Sequence, residues 1–207
     1  MRPCPNCKAS SRAENCSRIM NIIVKTARAH IMVRPDTTWE KDNADFFPPE
    51  FVEQLTFSPV VFARILKPGR SVLRRFASRY YDAVNFGVLL YPENLLDASS
   101  ESFATASCLD HTSFLPAPMY NPVTLGEEGN SFILKHNGKT IFEYGGATRG
   151  MIEEAIAEAT RMVYIRTGDL IAIELEGRRP LCGRNETKTH VTGSWCGNPI
   201  LDFNIVF

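Results

Sequence analysis

The sequence predicts a single α+β domain, rich in mixed β-sheet, with one long helix and several short ones. Three stretches carry that expectation. "TFSPVVFARI" (Thr56 to Ile65) is uncharged until Arg64 and is apolar on both sides of a two-residue period. Ser58, Val60 and Phe62 share one face, while Pro59, Val61 and Ala63 share the other. In "SFILKHNGKTIFEY" two alternating segments flank Asn137-Gly138, a pair that tolerates the positive φ required at both centres of a type I′ turn. After Gly145-Gly146, "TRGMIEEAIAEATRMVYI" aligns Met151, Ile152, Ala155, Ile156, Ala159, Met162 and Val163 in one stripe, which predicts a helix of about four turns.

The remaining elements follow in order. "NIIVK" and "HIMVRP" are short strands, the second stopped by Pro35. "DFFPPEF" is a Pro-rich loop or edge, and "KPGR" is a turn. "RSVLRRFASRYYDAV" sets Val72, Leu73, Phe76, Tyr80 and Val84 at helical spacing and predicts a short amphipathic helix. "VNFGVLLYP" is a strand ended by Pro92. "GDLIAIELEG" alternates Ile171, Ile173 and Leu175 against Ala172, Glu174 and Glu176. "THVTGSWCGNPILDFNIVF" makes two more strands around Gly197-Asn198. No repeat, low-complexity tract or linker divides residues 20–207, so they form one domain. Residues 1–19 read as a disordered extension.

The chain has 207 residues, with 23 Lys+Arg against 23 Asp+Glu, and so has no global field to draw in nucleic acid or an acidic membrane. Neither is an expected partner. The cluster Arg74, Arg75 and Arg79 is interleaved with Phe76 and Tyr80, which the helical spacing assigns to the core. No apolar run approaches the roughly 20 residues that cross a bilayer, and the N-terminus carries no apolar signal segment. A reducing, cytoplasmic location is expected, with Cys108, Cys182 and Cys196 as thiols. Cys4, Cys7 and Cys16, with His30 as a fourth ligand, make an incomplete zinc pattern.

The order of these pieces resembles the fumarylacetoacetate hydrolase superfamily, specifically its small members built like the family's C-terminal domain. "RPDTTW" is similar to the family's Lys-Pro-Asp/Ser-Thr segment, and "RFASRYYDAVNFGV" to its helix-to-strand segment. "NGKTIFEYGGATRGMI" resembles its hairpin and helix start, and "GDLI" the opening of its late strand. The resemblance runs from Met20 to Phe207. It implies a β-roll that pairs as a homodimer. In active relatives Mg²⁺ or Mn²⁺ holds a 2-oxo acid or 1,3-diketone that is hydrolysed at a C–C bond, decarboxylated or isomerised.

The family binds its ion through Glu-x-Glu on one strand and an acidic residue on the next, which aims carboxylates at one point. The matching positions here are Ser58, Val60 and Leu89: one hydroxyl and two hydrocarbons. The family lysine falls near Thr105. Its small lip is replaced by Glu174-Leu175-Glu176, and its lid loop shrinks to Lys25–His30. The expectation is a homologue without catalysis or bound metal, acting as a dimer or holding a small carboxylic acid through Arg34, Asp36 and Thr105. Arg34 could grip a carboxylate as a rigid fork, or pair with Asp36 or Asp45 at the surface. A second reading keeps a metal-dependent hydrolase, decarboxylase or isomerase of 2-oxo acids or acylpyruvates. Its ligands would come from Glu174, Glu176, Asp36 or Asp110, and its catalytic candidates are Asp110, His111 and Glu174. A third is a zinc-stabilised interaction module built on the N-terminal cysteines.

Overall fold

A computed structural model describes residues 20–127 and 129–207. The extension, and with it the zinc reading of Cys4, Cys7 and Cys16, lies outside the described residues. Two long antiparallel strands, β4 (Gln54–Ile65) and β5 (Tyr81–Pro92), form the spine. Around them a large sheet is completed by β1 (Ile22–Lys25), β2 (Ile31–Arg34), β3 (Trp39–Glu40), β6 (Ser113–Phe114) and β9 (Leu170–Glu174), in the order β2-β1-β9-β4-β5-β6-β3. Strand β10 (Arg179–Gly183) pairs with one end of β4. A second sheet has the order β12-β11-β7-β8, from β7 (Phe132–His136), β8 (Lys139–Tyr144), β11 (Lys188–Trp195) and β12 (Asn198–Val206). Asn137 and Gly138, at φ 48° and 80°, supply the turn expected between β7 and β8.

The main core lies between the two sheets and under the long helix α3 (Arg149–Ala159). From β4 it takes Leu55, Phe57, Val61, Ala63 and Ile65, and from α3 Ile152, Ala155, Ile156 and Ala159. Aromatic contacts tie the sheets together: Phe86 stacks on Phe132 at 5.0 Å, and Phe114 on Phe203 at 3.6 Å. Gly87 is required where β5 meets β6, because a Cβ there would stand 2.3 Å from the Phe114 carbonyl oxygen.

Three elements depart from the sequence expectation. The helix read over "RSVLRRFASRYYDAV" is a single turn, α1 (Arg74–Ala77), and the chain is already strand at Tyr81 because residues from Tyr81 onward pair with β4. Phe76 is therefore exposed, not core. Helix α3 stops after three turns rather than four. Thr160 is held there by the loop after β4: its carbonyl accepts from Ser71 N–H and its Oγ1 from Val72 N–H. Met162 is left exposed as a result. The last hairpin turns at Cys196-Gly197, at φ 50° and 73°, one residue earlier than Gly197-Asn198.

Candidate functional site

Strand pairing brings Ser58, Val60 and Leu89 together. Ser58 faces Leu89 across the β4–β5 ladder, Val60 lies two residues along, and all three are fully buried. Val60 and Leu89 belong to a second apolar cluster on the far face of the large sheet, with Ile22, Val24, Phe62, Tyr91, Leu115, Leu170 and Ala172. Met20, Met32, Trp39, Leu96, Phe103 and Met119 close over it. Phe103 comes from the short helix α2 (Ser100–Ala106), whose first turn is capped by the Ser99 side chain accepting from Ser102 N–H. The Ser58 hydroxyl is buried without a hydrogen-bond partner.

A polar lattice crosses this apolar face. Tyr91 stands opposite Thr56 on one side of β4, and Glu174 stands opposite Val60 on the other. The Tyr91 hydroxyl donates to Glu174 Oε1 at 2.8 Å, so the bond passes over β4 at the level of Ser58. Glu174 Oε2 accepts from Ala27 N–H in the short β1–β2 turn, which places the carboxylate firmly. Burial pushes the Tyr91 phenol well above its ordinary range, with the Glu174 charge adding to the shift and Arg34 opposing it. Arg34 lies under the Tyr91 ring at 4.9 Å; Arg178 lies 5.5 Å from the same ring and 5.4 Å from Phe103.

Arg34 is fully buried, yet no carboxylate bonds to it. Its Nε donates to the Ser107 carbonyl, Nη1 to the Thr112 carbonyl and Ser113 Oγ, and Nη2 to the Leu90 carbonyl and Thr112 Oγ1. All five guanidinium N–H groups are engaged. Burial lowers its pKa, an effect that the nearby Tyr91 and Glu174 partly offset. Neither of the two roles expected for Arg34, a fork for a ligand carboxylate or a surface pair with Asp36 or Asp45, fits this arrangement. Its donors bind β2, β5 and the 107–113 segment into one body.

The other expected site residues do not gather. Thr105 is exposed on α2, with its hydroxyl donating to the Glu101 carbonyl. Asp36 opens a single 3₁₀ turn, and Asp110 is exposed. His111 lies 3.4 Å from Glu40, not in a pair with Asp110, and its side chain is largely in solvent. Strand β9 ends at Glu174, so Glu176 does not extend its face and instead pairs with Arg179 at 3.0 Å. Among the described residues, no three His, Cys, Asp or Glu side chains are grouped to hold a metal ion. Tyr91, Phe103 and Arg178 went unnoticed in the sequence. The signal for Tyr91 was present, because it lies two positions from Leu89 and so shares its face.

No family model matches the sequence, and no curated protein matches it either. Solved structures do. A fumarylacetoacetate hydrolase family protein from Yersinia pestis aligns with a TM-score of 0.74 at 14% identity, over 91% of this chain and 93% of that one. This chain has the fumarylacetoacetate hydrolase fold. The fumarylpyruvate hydrolase from Pseudomonas aeruginosa, solved with Mn²⁺ and pyruvate, aligns at 0.72 and 14% identity over 91% and 90% of the two chains. The 5-carboxymethyl-2-hydroxymuconate delta-isomerase from Mycobacterium smegmatis aligns at 0.69 and 16% over 91% and 79%. The divalent ion that the fold implies does not fit this chain at the positions the resemblance assigns. Mg²⁺ and Mn²⁺ need oxygen donors, and those three positions offer one hydroxyl and two hydrocarbons.

Proposed function

We propose that this chain is a non-catalytic bearer of the fumarylacetoacetate hydrolase fold, which works by association, as a homodimer, rather than by turnover. One observation carries the reading: the face matching the family's metal-binding strands is a closed apolar cluster crossed by the Tyr91–Glu174 bond. A dication brought there would lose its water shell and meet at most one carboxylate, Glu174, which is already bonded to the Tyr91 hydroxyl and the Ala27 N–H. The short β1–β2 turn supports the same reading, since it holds Glu174 in place with a backbone N–H where the family keeps a lid. The relocated-ligand enzyme has less support, because Glu174 is bonded to Tyr91 and Glu176 to Arg179. Small-acid binding through Arg34 is likewise weakened by its full set of internal acceptors.

Thermal melting of the full chain with MnCl₂ or MgCl₂, with and without oxalate, tests this. A ligand at 100 times its Kd stabilises the native state by about 2.7 kcal/mol, a shift of several degrees. The expected result is no metal-dependent shift, no turnover of oxaloacetate or acylpyruvates, and a dimer in sedimentation equilibrium. A rise in midpoint that is reversed by chelator, or metal-dependent turnover, would sink the non-catalytic reading. A monomer would remove the dimer from it.

A further inference from the structure

Two neighbouring loops carry a charge pattern that the neutral whole conceals. Segments 66–81 and 159–168 contain seven Lys and Arg residues (Lys67, Arg70, Arg74, Arg75, Arg79, Arg161 and Arg166) and no Asp or Glu. The segments are stitched together by a two-way backbone pair between Gly69 and Ile165 and by the Ser71 N–H to Thr160 carbonyl bond. All seven cations are exposed. Among the described residues, only Arg74 has a carboxylate within ion-pair reach, Glu154 at 3.8 Å.

Among the described residues, the same two loops hold five of the nine exposed large hydrophobic side chains: Leu66, Leu73, Phe76, Met162 and Tyr164. Leu73 is 55% exposed and Met162 64%, so these side chains cover no core. Arg75 and Arg79 lie 4.8 and 5.5 Å from the Phe76 ring, and Lys67 lies 5.8 Å from that of Tyr80. The sequence expectation that Phe76 packs inside is what hid this surface.

We propose that this surface attaches the protein peripherally to anionic lipid bilayers: the cations meet lipid headgroups while Leu66, Leu73, Phe76 and Met162 enter the boundary with the acyl chains. Basic residues ringing exposed apolar ones are what an interfacial anchor needs, since electrostatic attraction and apolar burial then act together. Nucleic acid is a poorer fit. It would use several aromatic faces as stacking platforms, but of the two exposed aromatics here Phe76 already has guanidinium groups against its ring, which leaves Tyr164, and Leu66, Leu73 and Met162 have no stacking surface. A second copy fits poorly too, because a two-fold contact on this patch would set its cations against their own counterparts. The inference does not depend on the reading of the buried face.

Co-sedimentation of the full chain with vesicles of phosphatidylcholine alone, or with about a third phosphatidylserine, tests it. Binding is expected only to the anionic vesicles and should fall steeply as salt rises from low to high ionic strength. Each cation at the surface changes partitioning by roughly fivefold, so R75E/R79E should weaken it by more than about tenfold. L73S/M162S should weaken it at every salt concentration. Both double variants alter exposed side chains, and their melting curves should match the parent. The salt series needs no variant, so the test survives a folding failure. Four results overturn the proposal: no pelleting with anionic vesicles; pelleting insensitive to salt; tighter binding to a single-stranded oligonucleotide than to vesicles; or a dimer that R75E/R79E dissociates.

Discussion

The two faces of β4 are offset by one residue, and both are buried over residues 55–63. Leu55, Phe57, Val61, Ala63 and Ile65 pack towards the second sheet and α3, as the central strand of any two-layer domain would. Val60 and Phe62, with Ser58 between Thr56 and Val60, pack towards α2 and the 96–119 segment, on the face that the resemblance marks for an ion. The first face is built of hydrocarbon side chains, with the Arg179 guanidinium 5.7 Å from the Phe57 ring. The second keeps polar groups that hydrocarbon packing does not need: Tyr91, Glu174, a buried Arg34 without a carboxylate, and an orphaned serine hydroxyl. The difference between the two faces thus lies in their buried polar residues.

The largest test of that contrast is Arg34→Met. It strips donors from three carbonyls and two hydroxyls inside the protein. Chemical denaturation should show a loss of roughly 3–5 kcal/mol, since buried acceptors left without partners carry their desolvation cost. Next comes a matched pair, Leu89→Ala and Leu90→Ala, neighbours on opposite faces of β5 and both fully buried. Each should cost about 2–5 kcal/mol. A cheap Leu89→Ala beside a costly Leu90→Ala would mean that the second face has room for a ligand.

Tyr91→Phe comes third, at about 1–2 kcal/mol for the bond lost to Glu174. Because the folded phenol titrates above its unfolded value of about 10, its contribution is complete below that pH and is lost as pH climbs past it. The variant should therefore flatten the alkaline limb of the melting profile. The smallest effect has the opposite sign. Ser58→Ala removes a buried hydroxyl with no partner, so stability should hold or rise by up to about 1 kcal/mol.

Thiol chemistry adds a control outside the comparison. Burial pushes the Cys182 thiol up to about 12, whereas Cys108 is exposed. Site-resolved alkylation at pH 8 should label Cys108 in the native protein and Cys182 only on unfolding.

Much of this was legible in the residues. Period-two alternation identified both faces of β4, Asn137-Gly138 marked the β7–β8 hairpin, and the motif order pointed to the fold. These signals are local, because side-chain direction follows from strand pleat and turn φ from the residues at the turn. Three side chains had fates that local signals could not set. Phe76 was left exposed on a one-turn helix because strand pairing begins at Tyr81. Arg34 was buried by carbonyls that lie 56 to 78 residues away in sequence. Tyr91 found Glu174 across an intervening strand. Pattern and propensity, then, set which segments are strands and which sides are apolar, since both depend on neighbours one to four residues apart. Only the folded chain decided which polar groups meet inside it and which cations and hydrocarbons stay together outside, because those encounters depend on distances in space that no sequence window contains.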